Sequence, residues 1–107
     1  MKQYTNEQQT AKLIELGFRE PESKVGGKVI YEPDADLEIG WEYAYSIGEL
    51  IEMLPSKVNG WEFDIHHDYH FERWICDFDS SKYYGVATEL IDALYNLILK
   101  LKEEGVI

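Results

Sequence analysis

A chain of 107 residues with a formal charge of −11 at neutral pH and one cysteine, Cys76, has the size of a single domain and cannot hold an internal disulfide. Its acidity repels DNA, RNA and anionic lipid, so direct nucleic-acid or membrane binding is not expected, whereas a basic protein partner would be attracted. No apolar run reaches the roughly 20 residues of a membrane helix and the first residues do not form a signal peptide, which sets the expectation of one domain over 1–107 in a reducing, cytoplasmic setting.

The first predicted helix, about 6–16, opens at "TNEQ", where Thr5 is placed to cap it and Gln8 to bond back to the cap. Gly17 stops it and Phe18 folds back on its last turn. "REPESKVGG" is polar and glycine-bearing and reads as a loop. "KVIYE" has strand character, and "EPDAD" is a turn that folds 37–45 back on 29–31 as a hairpin. Within "YEPDADLEIGWEYAY" the parity alternates: Leu37, Ile39, Trp41 and Tyr43 on one side, Glu32, Asp34, Asp36 and Glu38 on the other. The acids are expected to form a wet edge that discourages strand pairing with other molecules. "YSIGELIEMLP" carries a capping box, Ser46 with Glu49, an apolar stripe of Ile47, Leu50, Ile51 and Leu54, and a stop at Pro55.

"GWEFDIHHDYHFERWICDF" predicts a second hairpin. A connection with an even number of residues between 66 and 73 puts Trp61, Phe63 and Ile65 on one face with Trp74, Cys76 and Phe78, and puts Glu62, Asp64 and Arg73 on the other, with Arg73 diagonal to Asp64. "ATELIDALYNLILKLKEEG" is the clearest helix, with Leu90, Ile91, Leu94, Leu97, Ile98 and Leu101 in one apolar arc. The expected fold is α+β: a small, mainly antiparallel sheet of two hairpins packed against a long C-terminal helix, with two shorter helices. Its expected core joins those arcs to Leu13, Leu16, Phe18, Phe63, Ile65, Trp74 and Cys76.

Motifs that carry chemistry are sparse. "DADLEIG" places Asp34, Asp36 and Glu38 at the first spacings of a calcium loop, but Ile39 stands where the turn glycine belongs and Tyr45 where the bidentate glutamate belongs. "DIHHDYHFE" is dense in potential zinc ligands, yet His66 and His67 point to opposite faces of a strand. Cys76 falls on the apolar parity, where a buried, inert thiol is expected, and no glycine-rich phosphate loop appears. No catalytic, cofactor-binding or metal residue is therefore expected, and no cofactor.

"YSIGELIEMLP", the paired short strands after it and "ELIDALYNLILKLKEEGVI" resemble small uncharacterised proteins encoded by bacteriophages and prophages, over roughly 41–107. The resemblance carries packing and capping patterns rather than an activity, and implies a bacterial cytoplasm and a mobile-element setting.

The sequence is thus read as a non-enzymatic, acidic protein-binding module. Its expected partner surface is Glu32, Asp34, Asp36, Glu38, Trp41 and Tyr43, with Tyr45, Tyr83 and Tyr84 as further aromatic contacts. Two alternatives stay open: an acidic mimic of nucleic acid that blocks a host DNA- or RNA-binding protein, and a metal site in the region of His66, His67 and His70.

Overall fold

The computed structural model describes residues 1–30, 38–78 and 82–107, and at 27–30 and 38–41 the course of the strands only. Helix α1 (Glu7–Glu15) starts one residue later than the predicted cap: Asn6 accepts from the Gln9 amide at 2.8 Å, and the Gln9 side chain accepts from the Asn6 amide at 3.0 Å. Thr5 cannot cap because its hydroxyl is used elsewhere. It accepts from the Tyr45 amide at 3.0 Å and lies 2.7 Å from the Thr10 hydroxyl, while the Thr5 amide donates to the Tyr45 carbonyl at 2.9 Å. Thr5 is buried in consequence, and the N-terminal segment is pinned to the chain just ahead of the second helix. The helix ends at the predicted place, with the Phe18 amide donating to the Leu13 carbonyl at 3.1 Å past Gly17.

Strands β1 (Ser23–Ile30) and β2 (Glu38–Ala44) form the expected antiparallel hairpin, Ile30 opposite Glu38 and Ser23 opposite Ala44. β1 begins inside the stretch read as a loop. The ladder slips between Lys24 and Gly26, leaving Val25 as the extra residue of a bulge, a local defect that lets a glycine-bearing segment pair. The turn expected at 32–36 lies outside the described residues. Helix α2 (Ile47–Glu52) carries the predicted capping box, with Leu50 buried and Ile47, Ile51 and Leu54 packed at the margin of the core.

After α2 comes a small ribbon that the hydrophobic pattern does not suggest. β3 (Lys57–Val58) and β4 (Trp61–Glu62) pair through Asn59 and Gly60, both at positive φ (52° and 85°), as a two-residue hairpin turn requires. Trp61 therefore belongs to this ribbon and is exposed, rather than sharing the apolar face of the next hairpin.

β5 (Asp64–Asp68), β6 (Arg73–Asp77) and β7 (Tyr84–Ala87) make a three-stranded antiparallel sheet in that order. The β5–β6 connection, 69–72, has an even number of residues, the condition under which Ile65 shares a face with Trp74 and Cys76, and it sets Ile65 opposite Cys76 and His67 opposite Trp74. These residues share one face with Gly85 and Ala87; Asp64, His66, Asp68, Arg73, Ile75, Asp77, Tyr84 and Val86 share the other. Arg73 stands directly opposite Asp68, Nε to carboxylate 3.3 Å, and not diagonal to Asp64 as predicted.

Helix α3 (Leu90–Glu103) covers the first face, burying Ile91, Leu94, Leu97, Ile98 and Leu101 against Cys76, Phe78 and Tyr83. The α+β class and the long C-terminal helix over antiparallel strands are as the sequence implies. The grouping differs: the β1–β2 hairpin is a separate two-stranded ladder, and the sheet beneath α3 is the second hairpin extended by β7. Among the described residues no helix is long and apolar enough to cross a membrane.

Candidate functional site

Large apolar side chains left in water are informative when they adjoin one another, since single exposed ones are common on any surface. Ile14, Val25 and Tyr43, exposed by 40%, 41% and 44%, line one groove between α1 and the β1–β2 hairpin. Each arrives there for a local reason. Ile14 lies off the buried stripe of α1, whose inward residues are Thr10 and Leu13. Val25 is the bulge residue, and a bulge re-aims its side chain. Tyr43 pairs with Lys24 beside that bulge.

The groove has two adjoining lobes of about 660 and 540 Å³ that share Thr10, Ile14 and Tyr43. Glu20 and Glu22 stand on one rim with Lys24, and Glu7 and Glu42 on the other, so among the described residues carboxylates outnumber ammonium groups four to one around an apolar floor. The recess thus joins an apolar floor to a rim of net negative charge.

Glu49 of α2 anchors the chain at Glu22 and Ser23, beside the groove. Burial alone would raise its carboxyl pKa, but donors from the Ser23 hydroxyl, the Glu22 amide at 3.0 Å and the Ser46 amide at 3.1 Å, with a smaller contribution from the Ser46 side chain, outweigh it and hold the group below the usual carboxylate range. The same carboxylate thus caps α2 and ties down the start of β1.

Of the predicted partner surface, Tyr43 is at the groove. Glu38 and Trp41 occupy strand positions opposite Ile30 and Gly27, and Glu32, Asp34 and Asp36 lie outside the described residues. Two of the further aromatics are corrected. Tyr45 is buried with its hydroxyl donating to the Arg19 carbonyl, and Tyr83 is buried under α3; both fill the core, which leaves Tyr84 as the exposed member. Sequence reasoning missed Ile14 and Val25, because exposure of one residue beyond an amphipathic stripe and a strand bulge have no compositional sign. It also missed the β5–β6 tip, where Tyr69 and Phe71 are exposed by 85% and 64%.

The histidines separate as strand parity requires. His67 is on the α3-side face, its ring 4.6 Å from that of Tyr69 and 4.8 Å from that of Trp74, while His70 lies against Phe71 at 4.6 Å. They do not converge on a common point with His66, which faces the other way beside Asp64 at 3.2 Å. Cys76 is fully buried, and desolvation, with smaller contributions from Asp77 and Asp64, pushes its thiol up to about 12, so it is no nucleophile at neutral pH.

No protein-family model matches this chain, and no curated protein or solved structure matches it either.

Proposed function

We propose that this chain is a non-enzymatic protein-binding module that seats a basic, partly apolar segment of a partner protein in the groove between α1 and the β1–β2 hairpin. The observation that carries the reading is the adjacency of Ile14, Val25 and Tyr43 in one recess rimmed by acids. An apolar centre with a polar rim is the anatomy of a protein interface, and the chain's charge of −11 would speed the approach of a cationic partner and repel nucleic acid itself. A bacterial cytoplasm and a phage or prophage origin, as the sequence resemblance implies, belong to the same reading.

A photo-reactive side chain placed at position 25 of the full chain tests it in bacterial lysate. Cross-linked peptides rich in Lys and Arg with interspersed apolar residues, captured also at about 1 M salt where exposed charges are screened within roughly 3 Å, are the expected result. Equal capture from a probe at position 69, or capture abolished by salt, would overturn the groove as the contact surface; the second outcome favours mimicry of nucleic acid by the acids alone.

A further inference from the structure

The face of the three-stranded sheet turned away from α3 bears a constellation unrelated to the groove. Asp64 on β5 and Asp77 on β6 are directly opposite each other, and His66, two residues along β5, projects from the same face. One ligand atom from each of the three lies within 4.8 Å of the others. We infer that Asp64, His66 and Asp77 form an open site for a first-row divalent cation of the zinc type.

Like charges directly opposite across an antiparallel pair are destabilising, and a bound cation turns that juxtaposition into an attraction. The His66 Nδ1 to Asp64 carboxylate distance is 3.2 Å, close to the ligand–ligand edge of about 3.3 Å that a tetrahedron with bonds of about 2.0 Å requires, so these two groups need little movement, and an Asp77 oxygen lies within 4.8 Å of both. The donor set, one imidazole nitrogen with two carboxylate oxygens, suits zinc, cobalt, nickel or manganese better than calcium or magnesium, which favour oxygen alone.

The strands hold the geometry. The Asp68–Arg73 ion pair and the two turn amides, His70 and Phe71, that donate to Asp68 at 3.1 and 3.4 Å fix the tip of the hairpin, and Cys76, between Ile75 and Asp77, anchors β6 in the core. Asp64 and His66 are exposed and Asp77 is half-buried, so water or a partner's side chain would complete the coordination. The site is therefore of the three-ligand, open kind rather than a closed structural one. His67 and His70, which the sequence groups with His66 in one ligand-dense stretch, contribute nothing to it.

Zinc titration of the full chain, stripped by a chelator and read by competition with a chromophoric zinc indicator, tests this. One equivalent should bind, and His66→Gln and Asp77→Asn should each weaken it by at least about tenfold, while His67→Gln and His70→Gln leave it unchanged. Because the substituted groups are polar and lie at the surface, far-UV dichroism of each variant should match the parent. In the parent, amide resonances of 64–66 and 75–77 should move on zinc addition, and manganese should broaden the same set. No uptake at about tenfold excess over a micromolar indicator, or uptake lost in His70→Gln and retained in His66→Gln, would overturn the assignment.

Discussion

Gly85 of β7 and Ala93 of α3 approach so closely that a methyl group on Gly85 would fall 2.1 Å from the Ala93 carbonyl oxygen and 2.7 Å from the Leu97 amide nitrogen. Neither neighbour is a movable side chain. Any larger residue must push the helix off the sheet, so Gly85→Ala should cost at least about 3 kcal/mol, or about 12 °C or more in Tm, through overpacking. Leu97→Ala, fully buried one turn further along, should cost about 2 to 5 kcal/mol through a cavity. Thermal unfolding followed by circular dichroism checks both, and a Gly85→Ala protein as stable as the parent would refute the contact.

The Thr5 hydroxyl should matter more than its place just ahead of α1 implies. Thr5→Val keeps the shape but removes the acceptor for the buried Tyr45 amide and the partner of Thr10, at a cost of about 1 to 3 kcal/mol. Asn6→Ala removes only the cap and should cost about 1 kcal/mol. Urea unfolding midpoints of the two variants rank them, and the opposite order would show that the Thr5 network contributes little.

Much of this fold was legible in the sequence because it rests on local rules. The Ser46–Glu49 box, the Gly17 stop and the α3 arc follow from spacing alone, and all appear as predicted. Asn59–Gly60 is a dipeptide suited to a two-residue hairpin turn, but the apolar alternation of Trp61, Phe63 and Ile65 mimics one continuous strand. Other features depend on contacts distant in sequence. Thr5 lost its capping role to a partner forty positions away, and Gly85 is explained only by a helix that packs over it. The candidate groove was legible only at Tyr43, since a bulge at Val25 and the neighbourhood of Ile14 arise when α1 meets the hairpin.

Stability should fall in acid partly through Glu49. Its folded pKa is held below the unfolded value, so its contribution is complete above the unfolded pKa, roughly 4.3, and is lost as pH falls through the lower folded value. The stability gap between Glu49→Gln and the parent should therefore narrow as pH drops from about 6 toward 3, measured as Tm against pH. A constant offset across that range would contradict the role assigned to the carboxylate.

Cys76 should be silent in the native state. A thiol pushed up to about 12 by burial stays protonated, so a disulfide-exchange reagent at pH 8 should label it only after denaturation. The folded pKa is raised, so the stability linked to it is complete below the unfolded value, about 8.5, and is lost as pH rises toward 12. Rapid labelling of the folded protein would mean that α3 does not seal the sheet face.

Amide chemical-shift mapping with a short peptide of alternating lysine and leucine tests most directly whether the groove seats a basic and partly apolar segment. The largest changes should fall on Ala11, Ile14, Val25 and Tyr43, persist in moderate salt, and disappear in Ile14→Ser/Tyr43→Ser, a variant whose exposed substitutions leave the fold intact. Changes scattered over the acidic surface and erased by salt, with Ile14, Val25 and Tyr43 unmoved, would contradict it.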